Sequence, residues 1–101
     1  MRRALSPQSV AVLSALAREP DAWRHGYDLG QEIGLQAGSL YPILMRLCDR
    51  GLLESTWEID PPVGRPRRHM YRILGAGQRA VEDARAAGLA RVGRRVARSA
   101  G

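Results

Sequence analysis

Apolar positions along this chain fall into short groups whose spacing is first helical, then alternating, then helical again. Val10, Leu13, Leu16 and Ala17 recur at three- and four-residue intervals, which puts them on one face of a helix. Ser6-Pro7 supplies its start, a serine N-cap with proline at the first helical position, and Pro20 supplies its stop. After the loop PDAWRHG, the span from Tyr27 to Ile33 predicts a short second helix, with Leu29 and Ile33 four apart and Gly34 at its end. Only Leu35, Gln36 and Ala37 separate it from the stretch GSLYPILMRLCDRGLLE. There Leu40, Ile43, Leu44 and Leu47 stand at i, i+3, i+4 and i+7, a clean apolar stripe. Two helices joined by a tight turn, the second one longer, make a helix-turn-helix pattern.

Past Gly51 the period changes. Leu53, Ser55, Trp57 and Ile59 alternate with Glu54, Thr56, Glu58 and Asp60, which is strand periodicity. The turn-rich segment DPPVGRPRR leads to a second strand, RHMYRIL, with Tyr71 and Ile73 on one face. From Gly77 onward the chain is alanine-rich and helical. Val81, Ala84, Gly88, Val92 and Val96 form a thin stripe that is too weak to fold alone. Val81, Ala84, Leu89, Val92 and Val96 are therefore the candidate dimerisation residues. The fold class expected is mostly α with a small β-hairpin (α+β): a winged helix-turn-helix over residues 1–74, then a C-terminal dimerisation helix with a basic tail over residues 75–101.

The longer helix of the helix-turn-helix has an unusual outer face. At about 100° per residue, Gly38, Pro42, Met45 and Asp49 lie opposite the apolar stripe, with Ser39 and Arg46 on one flank and Tyr41 and Cys48 on the other. Its head is slim and carries hydroxyls. Pro42 is tolerated if it falls in the first turn, where backbone N–H groups have no helical partner. Gln36, Ser39, Tyr41, Pro42, Met45 and Arg46 are candidate DNA contacts, because hydroxyls donate to phosphates and an arginine can bridge guanine O6 and N7. Met45 and Pro42 would otherwise be odd residues to give to solvent, although Tyr41 could equally cover the edge of the core.

Charge sharpens this reading. The 101-residue chain has a formal charge of +6, and all 16 basic residues are arginine. Residues 1–60 hold six Arg against eight Asp and Glu, a net of −2, whereas residues 61–101 hold ten against two, a net of +8. Such asymmetry points one end of the molecule at a polyanion. Its focus is Gly64-Arg65-Pro66-Arg67-Arg68-His69, where glycine permits a turn, proline stiffens it, and Arg65, Arg67 and Arg68 offer phosphate or minor-groove contacts.

Other chemistries fit poorly. Gly75-Ala-Gly77-Gln-Arg-Ala80 matches the GxGxxA dinucleotide fingerprint, but neither a second strand nor an acid about 20 residues on follows it. His25 and His69 lack partners at metal-ligand spacing, and Glu82-Asp83 diverge on a helix surface, so no cofactor, metal or catalytic set is expected. Cys48 reads as a buried structural thiol, and a single cysteine favours a reducing compartment. No apolar run approaches the ~18 residues of a membrane span, and no signal-peptide core is visible, so a cytoplasmic, nucleoid-associated protein is expected.

The segments VAVLSALA, HGYDLGQ, GSLYPILMRLCDRGLLES, GRPRRHMYRI and GAGQRA, in that order over roughly residues 5 to 82, resemble the PadR family of transcriptional regulators. The resemblance implies a homodimeric winged-helix protein, usually a repressor and often released by a small molecule. It puts Ser39, Tyr41 and Pro42 at the DNA-facing head of the recognition helix and Arg65, Arg67 and Arg68 in the wing. His25-Gly26-Tyr27 would open the preceding helix. The sequence departs from the family pattern in a PDAWRHG loop about three residues longer, which brings in Trp23, and in Gly75, where a Thr or Ser cap is common. Gly88 and Gly93 each cost the last helix up to ~1 kcal/mol against alanine, as befits a compact subgroup with a short C-terminal helix.

Three functions follow as expectations. The first is a dimeric repressor on a roughly palindromic duplex operator, with half-sites ~10 bp apart or a multiple of that. The second is a sensor of a small aromatic effector stacked on Trp23 or Trp57, although Trp57 reads more readily as core between wing and helices. The third is a protein-interaction adaptor with no DNA role, which the concentrated basic charge disfavours.

Overall fold

Ser6 caps the first helix as its sequence requires. In the computed structural model its Oγ accepts from the Ser9 backbone N–H at 3.1 Å, and α1 runs Pro7–Ala17. The structure describes the backbone of residues 4–100 and the side chains of residues 4–88. α1 buries Val12 and Ala15 as well as Leu13 and Leu16, while Val10 is only half-buried. The single stripe expected of a surface helix is thus too narrow. α1 is central, packed by α2, α3, α4 and the sheet, and a helix enclosed on several sides is apolar around most of its girth.

α2 (Gly26–Ile33) closes on Gly34 in the left-handed region, at φ 73°. The Leu35 N–H reaches back to the Gly30 carbonyl at 2.9 Å, a 6→1 closure that glycine permits at no steric cost. That closure aims the chain into α3, Ala37–Asp49. Leu40, Ile43, Leu44 and Leu47 of α3 are all buried, as their spacing predicts.

Three strands form the sheet rather than the two expected. β2 (Leu53–Trp57) and β3 (His69–Ile73) make the hairpin, and β1 (Arg24–His25) adds to the other edge of β3, in the order β1-β3-β2, all antiparallel. β1 comes from the loop PDAWRHG, and two residues are too few to show alternation. Register pairs Leu53 with Ile73, Ser55 with Tyr71 and Trp57 with His69 on one face, and Glu54 with Arg72 and Thr56 with Met70 on the other.

α4 (Gly75–Ala100) starts directly after β3. A Cβ on Gly77 would run into the Leu52 carbonyl oxygen and come within 2.7 Å of Ile73 Cγ1. The glycine of the dinucleotide-like string is therefore present for close packing. Val81 lies in the protomer's own core at 4% exposure, and Ala84 borders a cleft on the side of α1. The other expected dimerisation residues, Leu89, Val92 and Val96, have side chains outside those described.

Candidate nucleic-acid interface

The head of α3 is exposed. Gln36, Ser39, Tyr41, Pro42, Met45 and Arg46 all reach solvent, Met45 at 64% of its surface. The placement of Pro42 corrects the sequence reading. With α3 starting at Ala37, Pro42 is its sixth residue, beyond the turn whose N–H groups are free. It removes the donor that would bond the Gly38 carbonyl, and glycine at that position, with open space around it, leaves the proline ring uncrowded. The helix head therefore offers a carbonyl without its helical donor beside the Ser39 hydroxyl.

Tyr41 leans from this head onto α2. A Cβ on Gly26 would lie 2.8 Å from the Tyr41 hydroxyl, so only glycine leaves room for the ring where it stands. Arg46 lies on the opposite flank, bordering a separate cleft with Ser6, Ser9 and Asp49.

The wing spans residues 58–68. Arg65 N–H donates to the Pro62 carbonyl at 3.1 Å with Gly64 at φ 85°, the turn that needs glycine at its third position. At the base of the wing the Glu58 N–H donates to the Arg68 carbonyl at 2.8 Å. Arg65 points inward, its guanidinium 2.9 Å from Glu58 Oε1. That hydrogen bond is the main cause holding the Glu58 carboxyl below the usual carboxylate range, against the opposing effect of burial. Arg65 thus braces the wing, while Arg67 and Arg68 extend into solvent with no ion pair among the described residues.

The two tryptophans do not meet. Trp23 lies under the Arg72 guanidinium, 4.4 Å from its ring centre, and Arg72 also bonds Glu54 across the strands at 2.6 Å. Glu54 and Arg72 mark the sheet face opposite Trp57. Trp57 is not core, contrary to expectation: it is 57% exposed, because the hairpin outruns the helices before reaching it. Its indole stacks on His69 with ring centres 4.5 Å apart and planes 9° from parallel. His69 Nδ1 lies 3.1 Å from the Tyr71 hydroxyl, and burial pushes the Tyr71 phenol up to about 12. This row of rings ends near Tyr41. Exposed Tyr27, together with Trp57 and His69, completes a surface that sequence reasoning did not assemble. The available signal was the symmetry of Trp57 and His69 about the DPPVGRPRR turn, which makes them direct partners in an antiparallel ladder.

Cys48 is half-buried against the core, and burial pushes its thiol up, with a smaller opposing effect from a hydrogen bond with Ser55. Among the described residues no group of three or more His, Cys, Asp or Glu could hold a metal ion, and no helix is long and apolar enough to cross a membrane.

A helix-turn-helix with a long, exposed second helix, flanked by a three-stranded sheet and a basic hairpin loop, defines a winged helix. A profile of the transcriptional regulator PadR-like family matches residues 12–83, and the chain belongs to that family. Among solved structures it is similar to a PadR-like transcription factor from Bacteroides fragilis, at 21% identity and a TM-score of 0.73, covering 90% of this chain and 87% of that one. It is also similar to Bacillus subtilis PadR in complex with operator DNA, at 19% identity and a TM-score of 0.66, covering 80% of this chain and 47% of that one. A probable transcriptional regulator from Pseudomonas aeruginosa is 27% identical with a TM-score of 0.66; the match covers 83% of this chain and 59% of that one. No curated protein matches the chain significantly.

Proposed function

We propose that the chain is a sequence-specific regulator that binds double-stranded DNA as a dimer, represses transcription and is released by a small-molecule effector. It works by binding, not catalysis, at DNA in the cytoplasm. One observation carries this reading: the slim head of α3 and the free arginines Arg67 and Arg68 border a single groove, through Tyr41, with no carboxylate between them. A helix head can enter a major groove while the braced wing follows the adjacent backbone. Family membership and the likeness to a PadR–operator complex support the same role. Dimerisation is supported by a cleft of about 510 Å³ along α4, lined by Ala76, Ala80, Ala84 and Ala87 with Leu5 and Val10, small residues that let another helix approach closely.

Fluorescence anisotropy with duplexes from the chain's own upstream region, over a salt series, tests the proposal. Selective binding is expected, and Arg67→Ala and Arg68→Ala should each reduce the log–log salt slope by about 0.9. Equal, weak binding to an unrelated duplex would reject it.

A further inference from the structure

The groove between wing and recognition helix has chemistry of its own. It measures about 620 Å³, within the range of small-molecule sites. One wall is flat, made of the exposed Trp57 indole held parallel to His69. The other is phenolic, with Tyr27 and Tyr41. Arg67 and Arg68 line it with their charges unpaired, and no Asp or Glu lines it. A solvated tryptophan face is an apolar surface waiting for a flat partner, and unpaired guanidiniums favour a carboxylate they can grip bidentately.

We propose that this groove binds a planar aromatic carboxylate, and that its occupant displaces DNA by direct competition. The competition follows from shared residues, since Tyr41, Arg67 and Arg68 cannot serve both ligands at once. No movement of the dimer interface is required. The second half of the inference rests on the DNA-binding reading, whereas the first half does not.

Indole N–H resonances provide the test, because Trp57 lines the groove while Trp23 lies under Arg72 on the opposite sheet face and acts as an internal control. The full-length protein is titrated with 2-naphthoate, 2-naphthol (flat, uncharged) and cyclohexanecarboxylate (charged, not flat). A saturable shift of the Trp57 signal is expected with 2-naphthoate, much weaker binding with the other two, and a still Trp23. Arg67→Ala should weaken 2-naphthoate about fivefold, as expected for an exposed charge contact. Trp57→Leu, an exposed change that leaves the core intact, should weaken it about tenfold when followed by calorimetry, as for lost ring stacking. Equal shifts at both tryptophans, no saturation at millimolar ligand, or equal binding of all three probes would overturn the site. In the anisotropy assay the apparent DNA dissociation constant should double when free 2-naphthoate equals its own dissociation constant. An unchanged DNA affinity at saturating ligand would overturn the competition. A protein that binds no duplex at all would sink the regulator reading, while the resonance titration still decides the groove.

Discussion

Gly77 and Tyr71 show how single positions hold this molecule to one geometry. Because a methyl group at Gly77 meets a backbone carbonyl, the contact cannot be relieved by a rotamer change. Gly77→Ala should cost about 1–3 kcal/mol, the range for overpacking a tight contact, and urea denaturation would read it as a lower midpoint at unchanged slope. Tyr71 tests burial through pH. Its folded pKa, about 12, lies above the ordinary value of 10.0, so its contribution is complete below pH 10 and is lost as pH rises toward 12. Two pH units correspond to at most about 2–3 kcal/mol. Tyr71→Phe should flatten the stability profile over that window, and chemical denaturation at a series of alkaline pH values checks it. Tyr71 as a core residue was legible from strand alternation. The exposure of Trp57 was not, since alternation says which face a residue takes but not where the sheet outruns its helices.

At the scale of elements, the wing is a braced hairpin loop. The ion pair between Glu58 and Arg65 spans its base, and two backbone hydrogen bonds fix its turns. Glu58→Gln should raise amide exchange over residues 58–68 while leaving α1 and α3 protected, as hydrogen–deuterium exchange would show. Acid should act in the same way. The Glu58 carboxyl titrates below its usual value, so its contribution is present above the ordinary carboxylate pKa and is lost as pH falls through the depressed one. The three longer helices, the hairpin and the turn at Gly34 were all readable from spacing and glycine placement. β1 was not, because its two residues are strand only by virtue of the edge that β3 offers them. The brace was also hidden: Arg65, Arg67 and Arg68 look alike in sequence, and only the register of the hairpin puts Glu58 opposite the first of them.

For the whole molecule, one core drawn from every helix and from β2 and β3 carries the stability. Leu44→Ala, at a fully buried position facing several elements, should cost about 2–5 kcal/mol in thermal or urea unfolding. Assembly is the separate question that sedimentation velocity answers: a species of twice 11.1 kDa is expected, and Ala84→Glu on the α4 cleft should shift it toward monomer. The braced wing has one more consequence, in the calorimetry of complex formation. A segment that orders itself only on contact adds a large negative heat-capacity change to binding. A wing already fixed by Glu58, Pro62 and Gly64 adds none, which leaves only rigid apolar surface such as Trp57, Ile59 and Val63 to cover. The enthalpy of DNA binding should therefore vary only shallowly with temperature, as in the docking of two finished shapes.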